Sequence, residues 1–249
     1  MSGHSKWAQI KRQKGVTDAR RGQLFTKLGR EIAVAARRGG GDPEANPRLR
    51  LAVDRARSFN MPNDTIDRAI KRATGESGAA ELSEVIYEGY GPGGTAIMIE
   101  VLTDNRNRAV ADVRHALAKA GGNLGEAGCV AWIFESKGII NIRMEGEAAE
   151  ELALEAIDAG AEDVKIDDDG VEIYTSPDGL ESVRRALEEA GAEMASAEVS
   201  RVPKTTVPLD ERQAEQTLRL LDRLDELDDV QRVHSNGDFP DEVLAAYSG

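Results

Sequence analysis

The order of hydrophobic patterns in residues 138–201 is the strongest constraint on the fold. Four short apolar runs are typical of strands, and two segments repeat apolar residues at helical spacing. The strand-like runs are 139–143, 164–166, 171–174 and 194–201, and the helical segments are 147–159 and 178–190. The resulting order, β-α-β-β-α-β, predicts a ferredoxin-like domain over residues 138–201.

The segments on either side of this domain each lack partners. Residues 85–87, 95–102 and 130–134 are typical of strands, and 108–120 of a helix. After the linker 202–208, a helix over 210–227 and a strand over 230–234 have no partners nearby in the sequence. We therefore predict that the C-terminal elements return to complete the earlier sheet. Residues 84–135 and 205–240 would then form one α/β domain, into which the domain 138–201 is inserted.

Residues 1–75 have a helical pattern instead. Leu24, Leu28, Ile32 and Ala35 form one apolar stripe, and the stretch Gly39-Gly40-Gly41-Asp42-Pro43 ends that helix. Pro47 is suited to the first turn of a second helix, and Asn63 is predicted to cap a third. The predicted fold class is therefore α+β: an N-terminal three-helix domain is followed by two α/β domains, the third inserted into the second.

Charge is distributed very unevenly along the chain. Residues 1–75 hold 17 Lys and Arg against 7 Asp and Glu, a balance of +10, whereas residues 76–249 have a balance of −23. Phosphate is therefore repelled by most of the chain and attracted to its N-terminal part. This asymmetry predicts a nucleic-acid-binding surface in residues 1–75, but it does not distinguish DNA from RNA.

The candidate binding residues follow from this asymmetry. Lys6, Lys11, Arg12 and Lys14 precede the first helix, with the aromatic Trp7 among them. On the first helix an arc opposite the apolar stripe carries Arg20, Lys27, Arg30, Arg37 and Arg38, and the second helix adds Arg48 and Arg50.

The sequence offers little for catalysis. Cys129 is the only cysteine and begins an apolar run, so we expect it to pack in the core; one cysteine also excludes disulfides and thiolate zinc sites. His115 and the other two histidines are not at metal-ligand spacing. Asp167-Asp168-Asp169-Gly170 lacks the alternating ligands of a calcium loop and is typical of a hairpin turn. Gly91-Pro92-Gly93-Gly94 lacks the Lys-Ser/Thr of a phosphate-binding loop. We predict no enzyme activity, no cofactor, no metal and no small-molecule substrate.

No apolar stretch is long enough to span a membrane, and the N-terminus has no apolar core typical of a secretory signal. We therefore expect a cytoplasmic protein that does not interact with membranes. We also expect a monomer.

Several motifs carry a family resemblance. They are Gly3-His4-Ser5-Lys6-Trp7, Asn46-Pro47-Arg48-Leu49-Arg50, Asn60-Met61-Pro62, Tyr87-Glu88-Gly89-Tyr90-Gly91-Pro92-Gly93-Gly94, Leu102-Thr103-Asp104-Asn105-Arg106-Asn107-Arg108 and Gly121-Gly122-Asn123-Leu124-Gly125. Together they resemble the YebC family over essentially the whole chain. Cys129 and Ala109 stand where the family usually has hydroxyl residues, and His234-Ser235-Asn236-Gly237 where it usually has an aromatic residue.

The resemblance implies the same three-domain arrangement. It also implies that His4, Ser5, Lys6, Trp7, Lys11 and Lys14 face the nucleic acid. The family is labelled a probable DNA-binding transcriptional regulator, which is our first functional expectation. Its mitochondrial relatives are translational activators, and bacterial members are linked to ribosomes stalled on proline-rich chains. A ribosome-associated translation factor that contacts rRNA or tRNA is therefore the alternative.

Overall fold

The computed structural model describes residues 18–75, 82–144, 146–167 and 170–248, and it describes no side chain for residues 18–20, 147 or 248. The described residues divide into two compact units. The first takes in the chain up to Val34 together with 75–135 and the residues from Val202 onward, and the second takes in 35–74 and 136–201. The N-terminal helices are thus shared between the units, and the prediction that residues 1–75 form a domain of their own stays a prediction.

Within residues 18–75 the structure has three helices, as predicted: α1 (Asp18–Gly39), α2 (Pro47–Ser58) and α3 (Asn63–Thr74). Leu28 and Ile32 of the apolar stripe are buried. Pro47 begins α2, and the side-chain oxygen of Asn46 caps it by accepting a hydrogen bond from the Leu49 N–H at 3.1 Å. The prediction that Asn63 caps α3 is wrong, because Asn63 is its first residue and the Pro62 carbonyl accepts the first helical hydrogen bonds.

The first α/β domain begins with β1 (Ser83–Tyr90), β2 (Ala96–Thr103), α4 (Arg106–Lys119) and β3 (Asn123–Leu124). Strands β1 and β2 form an antiparallel hairpin, in which Tyr90 pairs with Ala96. The predicted strand over 130–134 is wrong: residues Ala131–Ile133 form a 3₁₀ turn. The N–H groups of Val130 and Ala131 donate to the Glu88 carboxylate, so they are not available to a sheet.

The inserted domain contains β4 (Phe134–Ile142), α5 (Glu147–Asp158), β5 (Asp163–Asp167), β6 (Gly170–Thr175), α6 (Leu180–Glu189) and β7 (Met194–Pro203). The strand order β5-β6-β4-β7 is that of a ferredoxin-like sheet. Asp168 and Asp169, which follow β5 in the sequence, lie outside the described residues. The buried core of this domain includes Ile140, Ile173 and Leu187.

The chain then returns to the first α/β domain through β8 (Val207–Pro208), α7 (Glu211–Asp225), β9 (Val230–Ser235), β10 (Gly237–Asp238) and α8 (Asp241–Ser248). Strand β9 pairs with β2 and completes a sheet of order β3-β1-β2-β9. Side chains of β2, α4, α7 and β9 share one buried core. The predicted insertion is therefore confirmed, as is the α+β fold class.

Candidate nucleic-acid interface

The structure describes only part of the predicted binding set. His4, Ser5, Lys6, Trp7, Lys11, Arg12 and Lys14 lie outside the described residues, and so does the side chain of Arg20. Six of the fourteen candidates therefore have a described environment: Lys27, Arg30, Arg37, Arg38, Arg48 and Arg50. That the candidates contact nucleic acid stays a prediction for all fourteen.

In the first unit, a polar stripe of α1 contacts the end of α7 and the loop between α7 and β9. Lys27 is only 7% exposed, and its ammonium donates to the Asp225 carbonyl. Arg30, one turn further along, donates to the Asp228 carbonyl at 2.7 Å and to the Asp229 carboxylate at 3.0 Å. The spacing that aligned these residues on one face has therefore aligned them with oxygen atoms of the same chain.

Asp229 is at the centre of these polar contacts. Its carboxylate is buried, and it also accepts hydrogen bonds from the Thr103 hydroxyl at 3.0 Å and the Arg108 guanidinium at 2.7 Å. The hydrogen bond to Asp229 raises the pKa of Arg108, and the hydrogen bond from Arg108 lowers the pKa of Asp104. A cleft of about 690 Å³ opens beside Asp229, and side chains of both charge signs line it. Such a lining gives no preference for an anion.

In the second unit, Asn46 joins the end of α1 to the start of α2. Its buried amide donates to the carbonyls of Ala35 and Gly40, both at 2.9 Å. Gly39 leaves room for this contact, because a Cβ there would lie 2.6 Å from the amide nitrogen. The last turn of α1 and the first turn of α2 are therefore held together by one side chain.

Three exposed guanidinium groups lie on these two turns. Arg37 and Arg38 are in the last turn of α1, and Arg48 is in the first turn of α2. Cations are favoured at the C-terminal end of a helix, where the carbonyl dipoles point outward. We refer to Arg37, Arg38 and Arg48 as the junction arginines.

Helix α3 adds a second group of exposed cations. A Cβ on Gly41 would lie 3.1 Å from the side chains of Ile70 and Thr74, so the loop after α1 packs against the last turns of α3. Arg68, Lys71 and Arg72 are exposed, and their i, i+3, i+4 spacing places them on one face. The same spacing rule, applied to α3 as it was to α1, could have placed them among the candidates.

Arg50 does not share the exposure of the junction arginines. Its guanidinium donates to the Glu181 carboxylate of α6 at 2.6 Å and to the carbonyls of Pro43 and Glu44. Hydrogen bonds from Arg184, and then from Arg185 and Arg50, lower the pKa of Glu181 to about 2. Arg50 therefore ties α2 to the inserted domain. We refer to Lys27, Arg30 and Arg50 as the anchored cations.

The groups considered for catalysis are Cys129 and the histidines. The Cys129 thiol is partly buried, and burial raises its pKa, as does the charge of Glu88. His115 is exposed on α4, whereas His234 is buried with its Nε2 atom 3.2 Å from Glu100. Among the described residues, no cluster of His, Cys, Asp and Glu could hold a metal ion. The helices in the described part of the chain include none with the length and apolarity to cross a membrane.

Comparisons with known proteins identify the family. The model of the TACO1/YebC protein N-terminal domain matches residues 5–76, and the model of the TACO1/YebC second and third domain matches residues 82–237. The chain is 56% identical to a probable transcriptional regulatory protein of Dehalococcoides mccartyi over 99% of this chain and 98% of that protein. It is 54% identical to another so named in Dictyoglomus turgidum, over the full length of both.

A solved structure is also similar. The crystal structure of a conserved hypothetical protein from Aquifex aeolicus matches with a TM-score of 0.81 and 48% identity, over 90% of this chain and 92% of that one. The chain belongs to the TACO1/YebC family.

Proposed function

We propose that the chain, as a member of the TACO1/YebC family, is a non-catalytic regulator of gene expression that binds nucleic acid through its N-terminal helices. The observation that carries this proposal is the exposure of the junction arginines on two turns joined by Asn46. Arginine is suited to phosphate because its planar guanidinium donates two parallel hydrogen bonds. The exposed group on α3, Arg68, Lys71 and Arg72, extends the same proposed surface.

The charge of the remaining chain supports the choice of this surface. Residues 76–249 carry a net charge of −23, so a polyanion is repelled from most of the protein. The basic residues 6–14 supply further cations next to α1 in the sequence. We propose that they take part in binding with the junction arginines.

Transcriptional regulation through DNA is the first candidate. The relatives in Dehalococcoides mccartyi and Dictyoglomus turgidum are named probable transcriptional regulatory proteins. At 54–56% identity over nearly the whole chain, a shared molecular role is the simplest expectation. Binding to DNA by this chain is part of the proposal.

Translation is the second candidate, and the acidic bulk of the chain favours it. A net charge of −23 outside the basic region disfavours wrapping along a duplex, because the repulsion acts over the whole contact length. It is less unfavourable when one basic end enters a crevice in ribosomal RNA or contacts tRNA. In this candidate the protein relieves stalling on proline-rich nascent chains.

One paired experiment separates the two candidates. A lysate is sedimented through sucrose under conditions that keep ribosomes intact and under conditions that split them, and the protein is located in each gradient. In parallel, purified protein is titrated with promoter DNA at physiological salt. Sequence-selective promoter binding without a ribosome peak supports the DNA candidate. Co-migration with ribosomal particles, together with promoter binding only at millimolar concentration, supports the translation candidate. If the protein neither co-migrates with ribosomes nor binds the promoter selectively, both candidates are refuted.

The absence of catalysis is also part of the proposal. The raised pKa of Cys129 leaves little thiolate at neutral pH, so the thiol is a poor nucleophile. We expect Cys129→Ser to leave nucleic-acid binding and cellular function unchanged. Loss of function in a folded Cys129→Ser protein would instead point to an enzyme.

The proposal also covers the state of the protein in the cell. We expect a cytoplasmic monomer, with nucleic acid as its partner and no small-molecule substrate. Light scattering of the free protein tests the monomer.

A further inference from the structure

Trp132 is the most exposed of the large hydrophobic side chains that the structure describes, at 67% of its full accessibility. An exposed indole loses the free energy that burial of so large an apolar surface would contribute. Its ring nitrogen nevertheless has a fixed partner, because Nε1 donates to the Cys129 carbonyl at 3.1 Å. The ring is therefore both open to solvent and held in one orientation.

The backbone beneath Trp132 is held equally firmly by Glu88. One carboxylate oxygen of Glu88 accepts the Gly128 N–H at 2.7 Å, and the other accepts the N–H groups of Val130 and Ala131, both at 2.8 Å. Glu88 is only 7% exposed, and three N–H groups compensate its charge inside the domain. The hydroxyl of Tyr90 adds a hydrogen bond to the Cys129 carbonyl at 3.1 Å.

Packing prevents the indole from turning inward. Val130, Ile133 and Phe134 fill the space below the turn together with Ala96 and Met98. Gly125 packs against the same turn, and a Cβ there would lie 2.4 Å from the Cys129 sulfur. The core under Trp132 is thus filled by its neighbours, and the indole has no apolar site to enter.

We propose that Trp132 is a preformed stacking platform for an unpaired nucleobase of a single-stranded segment. An aromatic ring held rigid and open is the device by which single-stranded nucleic acids are bound without reading their sequence. A base in a duplex has both faces covered by its neighbours, so the platform selects single strands. The inference rests on the proposed function, and it names the form of nucleic acid that this second site takes.

The surroundings favour a flat base over a protein segment. A protein hot spot needs a ring of further contacts that excludes water around the central side chain. Next to Trp132 in the chain, however, Ala131 is small and exposed, and the larger neighbours are buried. A single base needs only the ring face and a cation for its phosphate. The backbone N–H of Lys204 donates to the Ile133 carbonyl at 2.8 Å, which places the backbone of that exposed lysine beside the turn; the exposed Glu126 belongs to the preceding loop.

The chain provides its own spectroscopic probe. It has two tryptophans, so the Trp7→Phe variant emits from Trp132 alone. This variant is titrated with a 12-nucleotide adenine RNA, with the same DNA strand, and with a 12-base-pair duplex. Stacking predicts that both single strands quench the Trp132 emission and that the duplex does not. If saturating single strands leave the emission unchanged, the platform is refuted.

Affinities measured with labelled strands provide the second readout. Trp132→Ala is expected to weaken single-strand binding about 10-fold, and Trp132→Phe much less, because a phenyl ring still stacks. Ile86→Ala is the matched control, since Ile86 is the other exposed large apolar residue of the same domain, and it is expected to change nothing. Equal affinity of Trp132→Ala and wild type refutes the platform, as does an equal loss with Ile86→Ala.

The same titration separates this inference from the proposed function. Replacing the junction arginines weakens single strands and duplex alike, whereas Trp132→Ala weakens only single strands. If only the arginine variant loses affinity, the platform fails and the proposed surface stands. If only Trp132→Ala loses affinity, the platform stands and the proposed surface fails.

Glu88→Gln tests whether the turn positions the ring. Glutamine keeps one acceptor oxygen, so at least one of the three N–H groups loses its partner. We expect lower emission anisotropy of Trp132 and an affinity between those of wild type and Trp132→Ala. Unchanged anisotropy and affinity would show that Glu88 does not position Trp132.

Discussion

The junction arginines and the anchored cations are similar in sequence but differ in the folded chain. Both sets lie on α1 and α2, within residues 27–50. Arg37, Arg38 and Arg48 are exposed. Lys27 and Arg30 instead donate to oxygen atoms at the end of α7 and in the loop between α7 and β9, and Arg50 donates to oxygen atoms of α6 and of the loop after α1. The oxygens that accept hydrogen bonds from the anchored cations are up to 199 residues away in the chain.

This comparison separates two roles that a count of charges combines. A cation that donates to carbonyl or carboxylate oxygens inside the fold stabilises the folded state, and its removal leaves those oxygens without that partner. An exposed cation lies in solvent, where screening keeps the contribution of its ion pairs to folding small, and phosphate can reach it there. We therefore expect substitutions of the anchored cations to change stability and substitutions of the junction arginines to change binding.

The largest effect is expected from replacing all three junction arginines with glutamine. Three lost phosphate contacts should flatten the log–log salt slope by about 2.7 on duplex DNA and weaken binding about 100-fold at physiological salt. The measurement is affinity against salt concentration, with unfolding curves to show unchanged stability.

Arg212, Arg219 and Arg223 supply a matched control for this experiment. All three are exposed on α7, so their replacement with glutamine removes the same charge from another surface. We expect no change in the salt slope. Equal slopes in the junction variant and this control would show that the junction arginines make no phosphate contacts.

A smaller effect, on stability, is expected from Asp229→Ala. The substitution removes the acceptor shared by Thr103, Arg108 and Arg30, and charge-assisted hydrogen bonds of this kind lead us to expect a loss of about 2–3 kcal/mol in the free energy of unfolding. Urea unfolding measures this free energy.

Asp112→Asn is the control, because Asp112 is an exposed carboxylate on the same cleft. It should change stability by less than about 0.5 kcal/mol. Equal losses in the two variants would contradict the central role of Asp229.

The smallest effect is expected from Glu181→Gln, and it should depend on pH. The pKa of Glu181 is lowered from 4.5 to about 2, so the ionised carboxylate stabilises the folded state above pH 4.5, and this contribution is lost as pH falls towards 2. Because the group is partly exposed, we expect about 1–2 kcal/mol at pH 7 after solvent screening.

The measurement is the difference in unfolding free energy between wild type and Glu181→Gln across this pH range. Glu188→Gln is the control, since Glu188 is more exposed than Glu181 and its carboxylate contacts Arg184 at 2.5 Å. A difference for Glu181→Gln that does not shrink at low pH would show that the ionised carboxylate does not act as described.

Most of the fold could be predicted because its signals are local. Helical and strand spacing predicted the three N-terminal helices, the βαββαβ order and the unpartnered strand that becomes β9. The segment 130–134 was different, because its apolar residues are typical of a strand while a carboxylate on β1 takes its N–H groups. No periodicity within the segment carries information about Glu88.

The candidate site was less predictable because the contacts of its cations are with residues distant in the sequence. Periodicity assigns Lys27 and Arg30 to the face opposite Leu28, but it cannot show what packs against that face. The oxygen atoms that accept from them lie at the end of α7 and in the loop that follows it, 198 residues later in the chain. The exposed Trp132 was also missed, because an aromatic residue in an apolar run is usually buried.

The position of β9 in the first sheet has a consequence for the order of folding during synthesis. Strand β2 can pair with β9 only after residue 235 has been synthesised. The β2 edge of the first sheet therefore stays unpaired while the inserted domain is translated. Residues 138–201 have all their strands in one continuous stretch and can close first. The N-terminal half of the first α/β domain is therefore synthesised before the inserted domain but becomes native after it. During this interval its open sheet edge is the part that most needs protection from aggregation.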